Sequence, residues 1–165
     1  MILATHAVVG GALGLLLRDN PAGAIFAAFT SHFLLDAIPH WHYQLRAKER
    51  DAGMPFGYRL RFDRDLIRDI VTTGMDCAVG TAIPLAAGAL VAPTYLWVIF
   101  WGAAASVLPD FMQFLYYAFP RSPLRHLQRF HYAIHAKTRL DHKPLVGIPA
   151  QIALAAIFLA LMLAA

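Results

Sequence analysis

Apolar residues in this chain come in long blocks rather than in alternation. Residues 2–17, 22–38, 70–91, 94–119 and 145–165 are almost continuously hydrophobic, and polar stretches separate them. Helices of that length cross, or nearly cross, a hydrocarbon layer about 30 Å thick. The pattern predicts an all-α, polytopic membrane helical bundle of about five transmembrane helices, forming a single domain over residues 1–165. The first block has only 16 residues, so a four-span version with a re-entrant start stays open. Asn20-Pro21 and Ala92-Pro93 punctuate the joints, and Gly53, Pro55 and Gly57 break the polar stretch 41–69 into short pieces. Within that stretch, Asp63 to Asp69 reads as the start of an interfacial helix. Gly10, Gly11 and Gly14, with Ala7, give the first block a small-residue face that lets another helix approach closely.

Composition agrees with the blocks: 59% of residues are hydrophobic and 15% charged. A net charge of +4 and a pI near 9.5 raise the question of nucleic acid. The basic residues answer it, because they sit in two loops and form no face with stacking aromatics. Seven of the 14 lie in 41–69 and six in 120–144, leaving only Arg18. Five spans put both loops on one side, which the positive-inside rule makes cytoplasmic. The N-terminus is then cytoplasmic, the C-terminus outside, and the location a multi-pass cytoplasmic (inner) membrane. No basic region precedes the first block, so it is not read as a cleaved signal. The single Cys77 excludes an internal disulfide and a cysteine-rich zinc site.

Ionisable residues inside apolar blocks are costly, and they concentrate in one stretch, Ser31 to Tyr43. His32 and Asp36 are four apart, so a helix puts them on one face where they can grip one ion. Pro39 stops or kinks that helix and leaves His40 and His42 in the exit turn. A helix end whose histidines bond to backbone or headgroups would account for the same stretch. Under the five-span topology, His6, His32, Asp36, Asp76 and Asp110 all fall near the cytoplasmic face, a convergence that scattered structural polar groups would not need. Asp110 follows Pro109, which frees backbone carbonyls around it. Asp76 either assists a metal or pairs with Arg68. His131 and His135 repeat the four-residue spacing and offer a second ligand pair, or lie on a basic amphipathic helix at the membrane surface. His126 and His142 read as surface residues. A His and Asp inventory without useful Cys suits a divalent ion, zinc first, with manganese or iron as alternatives. Such an ion brings bound water to a pKa near 7 and polarises a phosphoryl or acyl oxygen. No GxSxG, P-loop or HExxH motif is present.

Thr5-His6 before a glycine-rich helix, His32-x-x-x-Asp36 closing the next helix, and Leu108-Pro109-Asp110 in a later one resemble the bacterial membrane-bound metal-dependent hydrolases. That family looks like a membrane-embedded relative of the zinc-dependent phospholipase C fold. The resemblance implies metal ligands at His6, His32, Asp36 and Asp110, with His131 and His135 adding to them. Where the family often reads Pro-Asp-x-Asp-His, this chain has Pro109-Asp110-Phe111-Met112-Gln113, without the second acid and the histidine. The expectation is a hydrolase acting on a phosphoester of a membrane lipid or amphiphile. Asp36 and Asp110 are its catalytic carboxylates, and Arg125, Arg129 and His40 hold the substrate. The rival expectation is a non-catalytic membrane protein that uses the same residues for metal binding, ion handling or assembly.

Overall fold

A computed structural model of the chain describes residues 1–138 and 140–165. Its helices follow the apolar blocks: α1 (Leu3–Leu16), α2 (Pro21–Asp36), α3 (Arg64–Val91), α4 (Leu96–Ala118) and α6 (Pro144–Leu163). Local chemistry sets several of the ends. Asn20 accepts a hydrogen bond from Gly23 N, and Pro21 occupies the first turn where no backbone donor is needed, so α2 starts there. Asp63 accepts from Asp65 N and Leu66 N and starts α3 six residues before the hydrophobic block. α2 stops at Asp36, short of Pro39 and two residues before the block itself ends at 38.

α1 is the axis of the bundle. Ten of its 14 residues are buried, and α2, α3, α4 and α6 all pack on it. Glycine makes the closest crossing possible. A Cβ on Gly10 would overlap the Ser106 side chain, and one on Gly102 would overlap the Gly10 carbonyl. At about 1.5 Å per residue, α1 spans roughly 21 Å, less than a hydrocarbon core. Three helical segments are long and apolar enough to cross a membrane: Arg64–Val91, Pro93–Ala118 and Pro144–Leu163. α1 belongs to the shorter apolar helices. The outer helices carry apolar side chains outward, among them Ile67, Val71, Met75 and Leu90 on α3 and Leu145, Ile152 and Ile157 on α6. Such faces suit lipid rather than water.

Two elements fall in the stretches between the blocks. A short antiparallel ribbon pairs β1 (Lys48–Arg50) with β2 (Tyr58–Leu60), the one addition to an otherwise helical fold among the described residues. Phe56, in its turn, packs on Tyr116 and Tyr132, and Ala47 N donates to the buried Asp69 of α3. α5 (Leu124–Ile134) lies within the 120–144 stretch and packs on α4 and α2. It exposes Arg125, Arg129, Phe130 and Tyr132 and buries Gln128 and His131. α5 is amphipathic, but His131 lies on its buried side and not on the surface where the membrane-helix reading put it.

Candidate metal centre

The site lies where the C-terminal end of α2 meets α1, α4 and α5. Ser106 fixes the first three together: its hydroxyl donates to His6 O on α1, and its carbonyl accepts from His32 Nδ1 of α2 at 2.8 Å. Because a carbonyl only accepts, His32 donates from Nδ1 and turns Nε2 inward. Nε2 then faces Asp36 Oδ2 at 3.3 Å and Asp110 Oδ1 at 3.7 Å. His131 arrives from α5, with Nε2 2.9 Å from Asp36 Oδ2. His6 stacks on His32, ring centroids 4.1 Å apart, and sets its Nε2 3.2 Å from Asp36 Oδ1.

Asp36 is therefore the hub. It is 1% exposed and collects three imidazoles, His32 and His131 on Oδ2 and His6 on Oδ1, and the backbone amine of Met1 lies 2.7 Å from Oδ1 as well. His32, Asp36, Asp110 and His131 offer ligand atoms that all lie within 4.8 Å of one another. A divalent ion fits this donor set: two imidazoles and two carboxylates, three of the four residues buried. The neighbouring His6 gives a further sign, since its buried Nδ1 has no hydrogen-bond partner among the described residues and its Nε2 has only the contact with Asp36.

Beside this group, the chain after α2 folds back along the segment that follows α5. Ala136 N donates to Asp36 O and Leu140 N donates to His40 O. That pairing brings His40, His42 and His135 into a second group whose ligand atoms also lie within 4.8 Å. Burial, and then the Met1 amine, push His40 down to about 4 and His42 down to about 3. Burial also lowers His135. All three are neutral imidazoles at pH 7.

The other expectations divide. His32 and Asp36 share one face as their spacing requires. His131 and His135 do not form a second pair of the same kind. α5 ends at Ile134, His135 leaves the helix with ψ 132°, and the two rings serve different groups. His40 is 3% exposed and belongs to the second group. Arg125 and Arg129 are exposed on α5 and make no polar contact with either group among the described residues. Asp76 neither joins the cluster nor pairs with Arg68. Its Oδ2 accepts from Leu3 N at 2.7 Å, capping α1, and from Tyr43 OH at 3.2 Å. Ser106, Gln113 and Asp141 were not legible as site residues. Ser106 continues the small-residue run Gly102-Ala103-Ala104-Ala105, the one sequence sign of a close crossing there. The Gln113 amide lies 3.4 Å from His131 Nδ1.

The class defined by fold and site is a helical protein with lipid-compatible outer helices and a buried His/Asp cluster at the end of its central helix pair. Comparison with protein-family models, curated proteins and solved structures gives no match to this chain.

Proposed function

We propose that this chain is a membrane-embedded, metal-dependent hydrolase of a phosphoester in a lipid or amphiphile, set at the cytoplasmic side of an inner membrane. The observation that carries this reading is the convergence of His6, His32, His131 and Asp110 around one buried carboxylate, Asp36. Zinc suits the set best, because imidazole and carboxylate are both among its ordinary ligands. A divalent ion there supplies a Lewis acid for a phosphoryl oxygen and a source of hydroxide near neutral pH.

The chain's own groups divide the rest of the work. His32, His131 and Asp36 hold the charge, with Ser106 fixing the His32 ring. Asp110 is the exposed edge of the quartet, its side chain 26% accessible against 2% or less for the others. It would take the proton released as water adds to phosphorus and pass it to the alcohol oxygen that leaves as the ester P–O bond breaks. An apolar cleft of ≈ 160 Å³ lined by Ile38, Pro39, His40, Ala150 and Leu154 adjoins the second histidine group. A cleft of that chemistry accepts part of an apolar chain while the headgroup faces the cluster.

The test is hydrolysis of phosphomonoester and phosphodiester lipids in detergent or vesicles. The expected result is zinc-dependent turnover that falls at least 100-fold in Asp110→Asn with the fold retained. Equal turnover in that variant, or none on any phosphoester by metal-loaded protein, contradicts the reading. A second reading, a structural ion-pair core, is favoured by one contact, the Met1 amine against Asp36. It predicts a folded protein that takes up no ion.

A further inference from the structure

His40, His42 and His135 have a shared geometry that the first cluster does not need. Each imidazole has a hydrogen-bond acceptor on its Nδ1 side. His40 Nδ1 lies 2.6 Å from Ile38 O, His42 Nδ1 3.1 Å from Asp141 Oδ1, and His135 Nδ1 3.2 Å from Ala136 O. These acceptors fix the proton on Nδ1 in all three rings. The three Nε2 atoms, left with lone pairs, then point at one another: His40 to His42 at 2.8 Å and His42 to His135 at 3.3 Å. With each ring's proton held on Nδ1, the Nε2 atoms of His42 and His135 meet with no N–H between them, and His40 Nε2 has only the Met1 amine, so the three lone pairs converge where a cation would sit. Orientation of imidazoles by acceptors on the far nitrogen is how proteins prepare histidines for a metal.

We propose that His40, His42 and His135 form a second divalent-metal site that shares Asp36 with the first, giving a two-ion centre. The inference rests on the reading that the first cluster holds an ion, and it adds the second ion and its consequence. Asp36 reaches toward both groups: Oδ2 is near His32 and His131 and 4.0 Å from His135 Nε2, while Oδ1 is 3.5 Å from His40 Nε2. The ligand types also differ. The first group has two carboxylates and two imidazoles, and the second has three imidazoles with Asp36 as its nearest carboxylate. Imidazole-rich sites select zinc and its borderline neighbours over magnesium or calcium. Two dications facing only Asp36 and Asp110 leave an excess of about two positive charges, which matches a dianionic phosphoryl group. The Met1 amine lies 2.6 Å from His40 Nε2, and the second ion displaces it from that lone pair.

The experiment uses the full chain purified in detergent, stripped by chelator and reloaded with Zn²⁺ or Co²⁺. Metal is counted by mass spectrometry, and cobalt environments are followed by visible absorption. Wild type is expected to hold two ions per chain, and His42→Ala one, with about half the cobalt absorption. Asp141→Asn keeps all the ligands and removes only the carboxylate that orients His42, so it weakens the second ion by about 10- to 100-fold and spares the first. This variant also keeps the test open if His42→Ala fails to fold, and exposed His126→Ala serves as the unchanged control. One ion in wild type, retained in His42→Ala and lost in His32→Ala, overturns the second site and leaves the first standing. No ion in any folded variant overturns both.

Discussion

At the scale of single residues, Asp36 organises the site. A carboxylate buried this deeply is tolerated only where charge and hydrogen bonds surround it, and its neighbours are an amine and three imidazoles. Asp36→Ala removes the hub and leaves the buried Met1 amine without its carboxylate, with His40 Nε2 as its remaining partner. Breaking such a pair costs about 3–5 kcal/mol, and chemical denaturation is expected to show a loss of that order. The second histidine group makes a prediction about acid. His40 and His42 are held well below the ordinary histidine value, at about 4 and about 3, so the unfolded chain binds more protons than the folded one as pH drops below 6.5. Metal-free protein is therefore expected to keep full thermal stability above pH 6.5 and to lose it progressively toward pH 4. A flat melting temperature across that window contradicts the depressed values. The grip of His32 on Asp36 was legible in the sequence because four-residue spacing inside a helix is a local rule. The parting of His131 from His135 was not, because it depends on α5 ending between them.

At the scale of elements, α1 and α4 can cross only because both present glycine at the contact. Gly102→Leu forces a side chain into the α1 backbone and is expected to destroy packing and metal uptake together, though it touches no ligand. Thermal unfolding in detergent checks this, and a stable, metal-loaded Gly102→Leu protein would mean the crossing is wrong. Removal of the α3 cap by Asp63→Ala is expected to cost about 1 kcal/mol and leave the site intact. The small-residue face of α1 was visible in the spacing of Gly10 and Gly14, whereas its partner on α4 was not. The ribbon was invisible for a physical reason. Lys48-Glu49-Arg50 has no apolar alternation, and its pairing is held by cross-strand ion pairs such as Arg59 with Glu49 and by Phe56 docking on Tyr116. The segment after α5 is similar: only its backbone pairing with residues 36–40 brings His135 and Asp141 to the site.

For the whole molecule, the apolar blocks predicted the helix ends closely except the start of α3, which lies well before its block, because burial in lipid and burial in a core both demand continuous apolar sequence. Blocks alone did not rank the helices. α1 is apolar because other helices surround it, while α3 and α6 are apolar with most of their surface outward, Leu145 being 90% exposed. The protein is expected to remain with membranes after alkaline carbonate washing, and release into the wash would contradict lipid-facing outer helices. The central claim is that the polar core of this apolar bundle is a metal centre. Metal content of detergent-purified protein, read beside a His32→Ala/Asp36→Ala variant of equal helicity, tests it most directly. Stoichiometric zinc, or another divalent ion, is expected in the wild type, and its loss in the folded variant. Metal-free wild type after reconstitution with each candidate ion would contradict it and leave a protein held together by a buried ion-pair core.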